Sequence, residues 1–139
     1  MNTTDLAYTA GIIDGEGYIG IKYTGRKSGR RYRTLRVEVG NTNKILIDWL
    51  QLHYGGSYYQ AKSKPQNRQY WKWGLSAKQA AAFLEKILPY LLIKKYEAAL
   101  AIEFQKNKHY GRGKTEEAIA VEEAQAILMS NYHKGVYSG

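Results

Sequence analysis

Residues 9–17 read Thr9-Ala10-Gly11-Ile12-Ile13-Asp14-Gly15-Glu16-Gly17, a small and apolar run that ends in two acids spaced by glycine. If this segment is helical, the positions i, i+3, i+4 and i+7 share one face, and they hold Ala7, Ala10, Gly11 and Asp14. That face is nearly free of side chains, so a second helix could approach it closely. A like contact between two copies would bring their Glu16 carboxylates together. Paired carboxylates in a strongly basic chain favour metal-dependent chemistry on nucleic acid.

The composition is that of one ordinary domain. The chain has 139 residues and no cysteine, which excludes disulfides and cysteine-based zinc sites. No apolar run approaches the ~18 residues of a membrane span, and residues 1–20 lack the pattern of a secretory signal. We therefore expect an intracellular protein, cytoplasmic or organellar, that contacts no membrane.

The net charge of +9 is unevenly distributed. Residues 17–82 hold thirteen Lys/Arg and two acids, a local net charge of +11, whereas four glutamates cluster at residues 116–123. A segregated basic region is typical of a protein that binds a polyanion. A merely soluble basic surface is the simpler alternative. Tyr, Trp and Arg alternate through the same region, which favours nucleic acid.

The residue pattern predicts an α+β fold. Period-two alternation indicates two hairpins, at residues 18–39 and 57–75. Helices are predicted from Thr3 or Thr4 to Asp14 and at residues 42–53, 76–88, 92–104 and 115–129, with breaks at glycines and Pro89. Up to residue 104, the order α-ββ-α-ββ-α-α suits one four-stranded antiparallel sheet with helices on one face. Its other face, basic and polar, suits a groove of duplex DNA.

A second segment, Leu88-Pro89-Tyr90-Leu91-Leu92-Ile93-Lys94, carries a helix break that ends in lysine. Together with residues 9–17 and the αββαββα order, it resembles the LAGLIDADG homing endonucleases that carry a single motif. The resemblance covers about residues 5–104 of a single domain at 1–139, and residues 105–139 are predicted to add a basic loop and a further helix.

The resemblance implies a homodimer that cleaves both strands of a long pseudo-palindromic double-stranded DNA site. Glu16 of each subunit would bind Mg²⁺, or another divalent cation such as Mn²⁺, with the Gly15 carbonyl. Asn41 would order the nucleophilic water and Lys94 would lie near the scissile phosphate. The dimer interface would comprise Ala7, Ala10, Gly11 and Asp14, with Asp14 capping the end of the partner helix. No organic cofactor is implied.

Physical chemistry is consistent with these roles. Mg²⁺ prefers carboxylate and carbonyl oxygens and keeps several waters, and a nearby ammonium stabilises charge that develops in a transition state. The chain departs from the family pattern at three places. Glu16 replaces the commoner aspartate, Thr9 replaces the leading leucine, and Asn41 is shorter than the frequent glutamine. A two-residue shift of the alignment would make Asn43 the candidate instead.

The residues predicted to contact DNA lie on the open sheet face and its turns. Arginine can bind guanine through two hydrogen bonds, and Glu38 could accept one from cytosine N4. Of the adjacent Tyr58 and Tyr59, one must face inward. The full set is Lys22, Arg26, Arg30, Arg31, Arg33, Arg36, Glu38, Tyr58, Gln60, Lys62, Lys64, Arg68, Tyr70 and Lys72.

Two alternative functions remain open. The same fold could serve as a non-cleaving nucleic-acid-binding module, either an RNA maturase or a transcription regulator. A non-specific basic nucleic-acid binder is the other, and a steep salt dependence with weak discrimination would indicate it.

Overall fold

The computed structural model describes residues 1–25, 31–62, 69–108 and 114–137. Within these ranges, five helices and four strands follow the predicted order. In sequence they are α1 Thr3–Glu16, β1 Gly17–Gly25, β2 Arg31–Asn41, α2 Lys44–Tyr54, β3 Ser57–Ala61, β4 Tyr70–Ser76, α3 Ala77–Ile87, a 3₁₀ turn at Leu88–Tyr90, α4 Lys95–Lys106 and α5 Glu116–His133.

The four strands form one antiparallel sheet in the order β1-β2-β4-β3. Side chains that alternate along the strands face the helices and are almost fully buried there, among them Ile19, Leu35, Val37, Trp73 and Leu75. The helices pack on this side, and Ile13, Leu50, Leu84, Ile87 and Phe104 complete the core. The predicted fold class, with a sheet covered on one face, is confirmed.

The prediction of which β3 side chains face the helices was wrong. Tyr58 pairs with Trp73 and Gln60 with Trp71, and residues paired across antiparallel strands point to the same side. Tyr58 and Gln60 therefore lie on the helix side, and Tyr59, opposite Lys72, lies on the open face. A shift of one residue moves every side chain to the other face. Because the sequence of this edge strand is polar, it gives little indication of which alternate residues face the helices.

Several helix ends also differ from the prediction. The α1 cap is Asn2, whose side chain accepts from Asp5 N at 2.8 Å, and the helix runs through Gly15 to Glu16. Helix α5 continues past residue 129 to His133, whose Nε2 lies 2.7 Å from the Ile19 carbonyl on the edge of the sheet. Among the described residues, no helix is long and apolar enough to cross a membrane.

Candidate functional site

Asp14 joins the end of α1 to the start of α4. Its carboxylate accepts three backbone hydrogen bonds, from Leu92 N at 2.8 Å, Ile93 N at 3.1 Å and Lys94 N at 2.9 Å. These amides precede α4, where backbone N–H groups lack intrahelical partners and an anion is favoured. The prediction that Asp14 caps a partner helix was therefore wrong, because the helix that it caps belongs to the same chain.

Lys94 makes the reciprocal connection. Its ammonium donates to three carbonyls at the end of α1, those of Ile13 at 2.9 Å, Asp14 at 3.2 Å and Gly17 at 2.7 Å. A cation is favoured at a helix C-terminus, where carbonyls lack partners. Burial lowers the pKa of Lys94, and the negative charges of Asp14 and Glu97 oppose that shift. Three acceptors match the three donors of an ammonium, so the site is built for the charged form.

Glu16, two residues beyond Asp14, has a very different environment. Its side chain is exposed, and its Oε2 accepts a hydrogen bond of 2.7 Å from Asn41 Nδ2. Asn41 lies at the end of β2, and its Oδ1 accepts from Asn43 N at 2.7 Å. That second bond fixes which end of the Asn41 amide faces Glu16.

The two asparagines are therefore distinguished by their contacts. Asn43 caps α2, since its side chain accepts from Ile45 N at 3.0 Å. Asn41 contacts the acid that ends the motif. The structure brings Glu16 and Asn41 together, as predicted, and gives Asn43 a structural role.

The end of α1 offers oxygen ligands of the kind that a hard cation prefers. Glu16 supplies an exposed carboxylate, and the exposed Gly15 lies in the last turn, where carbonyls lack intrahelical partners. Lys94 occupies the carbonyls of Ile13, Asp14 and Gly17 but not that of Gly15. The described residues contain no group of three or more His, Cys, Asp or Glu that could hold a metal. Because backbone amides occupy Asp14, Glu16 is the carboxylate that this helix end offers to a ligand, which suits a cation such as Mg²⁺ that keeps several waters.

The small face of α1 is rotated relative to the prediction. Ala10 is completely buried in the core of its own chain, so it is not available to a partner. The exposed residues of α1 are instead Thr3, Thr4, Ala7, Tyr8, Gly11, Gly15 and Glu16. A Cβ added at Gly11 or Gly15 would meet no atom within 4 Å. Packing within the chain therefore gives no reason for glycine at either position.

The open sheet face carries five of the described residues predicted to bind DNA. Lys22, Arg36, Glu38, Tyr70 and Lys72 share it, as their register shows. Two further tyrosines lie there, Tyr18, which was not among the predicted DNA contacts, and Tyr59, which is the outward-facing member of the Tyr58–Tyr59 pair. The Tyr18 hydroxyl occupies the space that a side chain at Gly20 would need, and the Tyr70 hydroxyl does the same at Gly40. The available sequence signal was an outward-facing glycine in a strand, which leaves space that a nearby tyrosine side chain can cover.

Other predicted DNA contacts lie elsewhere. Arg33 is on the helix side, where it donates to Glu123 of α5 at 2.9 and 2.7 Å. The hydrogen bond from Arg33 lowers the pKa of Glu123. Lys62 is exposed just beyond β3. For Arg31 the structure describes the backbone in β2 and not the side chain. The remaining candidates, Arg26, Arg30, Lys64 and Arg68, lie outside the described residues.

No protein-family model and no curated protein sequence matches the chain, but solved structures do. The homing endonuclease I-CvuI, in complex with its target in the presence of calcium, has a TM-score of 0.68 at 18% identity, over 98% of this chain and 83% of that one. The archaeal intron-encoded homing endonuclease I-Vdi141I, complexed with DNA, has a TM-score of 0.78 at 13% identity, over 93% and 84%. The LAGLIDADG homing endonuclease I-GzeII, with its DNA target, has 0.61 at 17%, over 89% and 43%. The chain has the LAGLIDADG homing endonuclease fold.

Proposed function

We propose that this protein is a homodimeric, divalent-metal-dependent endonuclease that cleaves specific sites in double-stranded DNA. The observation that carries the proposal is the exposed Glu16 carboxylate, which Asn41 holds at the end of a helix that exposes Ala7, Gly11 and Gly15. The similarity in fold to homing endonucleases solved with DNA supports it further.

The composition of the site supports a dimer. One chain offers a single carboxylate at the end of α1, and a metal bound there needs further ligands from DNA, water or a second copy. The outward face of α1 places Ala7, Gly11 and Gly15 in line. Glycine at two of these positions lets a partner helix approach closely. Packing within one chain gives no reason for glycine there, whereas close contact with a second helix does. Two α1 helices packed along this face would bring both Glu16 carboxylates to one end.

DNA would lie along the open sheet face, where Lys22, Arg36 and Lys72 project between tyrosines. Cations on this face would neutralise phosphates and guide association, and the tyrosines and Arg36 would contact bases or sugars. The helices cover the opposite face, so the DNA would meet the same side of the molecule from both subunits of a dimer.

Each site residue has a role in the proposed hydrolysis. A divalent cation bound by Glu16 and the Gly15 carbonyl would polarise the scissile phosphate and lower the pKa of bound water. Asn41 would orient Glu16 and the attacking water through its amide. Lys94 would keep a positive charge beside the scissile phosphate, while its three carbonyl contacts hold the helix end that carries Gly15 and Glu16.

Cleavage by Glu16→Gln tests this function. The variant keeps the shape of the side chain but loses the charge that binds metal. The full-length chain is incubated with Mg²⁺ and a plasmid library of palindromic inserts, and linear products are sequenced. Glu16→Gln should lose at least about 10²-fold in cleavage rate, since even an outer-shell partner of a metal ligand is worth 10–100-fold. Binding to the selected site should persist.

The matched control is Glu103→Gln, which removes the same charge from an exposed position on α4. It should cleave as the wild type does. Undiminished cleavage by Glu16→Gln would remove Glu16 from the active site. If the wild type binds nucleic acid but leaves every insert intact with Mg²⁺ and with Mn²⁺, a non-cleaving binding module becomes the better account.

A further inference from the structure

Glu38 lies at the centre of the open sheet face and is only 8% exposed. Three cations surround its carboxylate. Lys22 Nζ contacts Oε1 directly, Arg36 Nε lies 3.8 Å from Oε1, and Lys72 Nζ lies 3.9 Å from Oε2. The face that is proposed to receive a polyanion therefore has a nearly buried anion at its middle.

Neighbouring residues fix the positions of two of these cations, Arg36 and Lys22, along the sheet. Arg36 Nη1 donates to Ser76 Oγ at 2.7 Å, and Arg36 Nη2 would lie 2.4 Å from a Cβ added at Gly74. Gly74 is the residue paired with Glu38, so its missing side chain makes room for the guanidinium. Lys22 Nζ also lies 5.0 Å from the centre of the Tyr18 ring. The cluster is thus a built arrangement.

We propose that Glu38 is a specificity-determining residue that acts by restraining Lys22, Arg36 and Lys72, and not by contacting a base. This inference rests on the proposed function, since it assumes that the open face binds duplex DNA. Each phosphate that takes one of these cations must compete with Glu38, and a carboxylate left buried without its partners is unfavourable. Phosphate contacts supply essentially all the affinity for arbitrary DNA sequences. The competition with Glu38 therefore lowers the affinity for arbitrary sequences.

The geometry argues against the direct reading of cytosine by Glu38. An acceptor for cytosine N4 must reach the floor of the major groove, whereas this carboxylate is nearly buried under three cations. The exposed cations and tyrosines around it would meet DNA first. Side-chain exposure is 47% for Lys22 and 39% for Lys72, against 10% for Glu38.

Binding of a random-sequence duplex tests the proposal and requires no knowledge of the target. Affinities of the wild type and Glu38→Gln are measured by fluorescence anisotropy over a series of salt concentrations. Glu38→Gln should bind about tenfold more tightly at low salt. Its log–log salt slope should steepen by about 0.9 for each cation released to neutralise a phosphate. Glu38→Asp, which keeps the charge, should stay within about twofold of the wild type.

The control is Glu85→Gln, the same change of charge at an exposed position of α3 on the helix side of the sheet. An equal gain in both variants would mean that net charge alone acts, and a loss of affinity in Glu38→Gln would mean that Glu38 itself contacts DNA. Either result overturns the proposal. If every protein, including the wild type, fails to bind duplex DNA, the proposed function is overturned as well. That outcome is distinguishable from a failure of the Glu38 proposal alone.

Lys72→Gln gives a second measure when it is made both in the wild type and in Glu38→Gln. Because Glu38 competes for Lys72 in the wild type only, the loss of affinity for random duplex on Lys72→Gln should be larger in the Glu38→Gln background. Equal losses in the two backgrounds would show that Lys72 acts as an unrestrained phosphate contact, contrary to the proposal.

Discussion

Asp14 and Glu16 differ little in sequence and greatly in environment. Both are acids next to Gly15 at the end of α1, yet three backbone amides surround the Asp14 carboxylate, whereas Glu16 is exposed and receives one side-chain amide. A carboxylate whose acceptor sites are taken by the backbone holds the fold together and has little capacity for a ligand. An exposed carboxylate with one orienting partner is free to bind a metal. The number of backbone donors, and not the type of residue, separates the two roles.

The largest effect on stability is expected from a matched pair of alanine variants. Asp14→Ala leaves three amides at the start of α4 without their acceptor, and we expect a loss of about 2–3 kcal/mol in the free energy of unfolding. Glu16→Ala removes an exposed side chain and should change it by less than about 0.5 kcal/mol. Urea denaturation at one protein concentration measures both. Equal losses would contradict the division of roles.

Lys94 provides the next test, because it completes the Asp14 junction from the other side. Lys94→Met keeps the length of the side chain but leaves three carbonyls at the end of α1 without a donor. We expect a loss of about 2 kcal/mol. Lys95→Met is the control, since Lys95 is adjacent and exposed, and it should be nearly neutral. A fully stable Lys94→Met that cleaves slowly would instead assign Lys94 to the phosphate alone.

The parts of this junction that sequence could predict are the local ones. The position of both acids at the end of α1 was predicted from residues 9–17, whereas the assignment of Asp14 to the interface and of Glu16 to the metal came from the resemblance. The partners of Asp14 lie 78 to 80 positions away, and no local pattern specifies which helix end a carboxylate will meet. Assigning Asp14 to a second subunit was therefore a reasonable error. Ala10 was misassigned for a related reason, since alanine suits a close helix contact and a tight core equally well.

The sheet shows the same limit. Alternation in β2 is strongly apolar on one side, and its phase was predicted correctly through Val37 and Val39. In β3 both faces are polar or aromatic, so only the pairing with Trp71 and Trp73 reveals that Gln60 faces the helices. Arg33 was assigned to DNA although it shares the phase of Leu35 and Val37, and that phase places it on the helix side, where it donates to Glu123 of α5, 90 positions away.

Asn41 and Asn43 allow a structural and a functional residue to be compared by cleavage rate as well as by stability. Asn41→Ala removes the amide that orients Glu16, and we expect a loss of about tenfold in cleavage rate, as for an outer-shell partner of a metal ligand. Its stability should change little. Asn43→Ala removes the α2 cap, so it should lose about 1 kcal/mol of stability and keep its cleavage rate at a temperature where it is folded. An exchange of these two results would restore Asn43 as the functional residue.

The smallest effects are expected where an acid bound by arginine and a buried acid are compared by the pH dependence of their contributions to stability. Glu97 is 4% exposed, and its Oε1 has no hydrogen-bond partner among the described residues, so burial raises the pKa of Glu97. The folded state then binds its proton more tightly than the unfolded state does. The contribution of Glu97 to stability is therefore present at low pH and is lost as pH rises through the folded pKa.

Glu123 has the opposite sign, because Arg33 lowers its pKa. Its contribution is present above the unfolded pKa and is lost as pH falls through the folded value. Unfolding free energies of Glu97→Gln and Glu123→Gln, each measured against the wild type between acid and neutral pH, should therefore diverge. Glu97→Gln should gain relative stability as pH rises, and Glu123→Gln should lose it. Parallel slopes would contradict these environments, because an acid whose pKa is raised by burial and an acid whose pKa is lowered by arginine cannot respond to protons in the same direction.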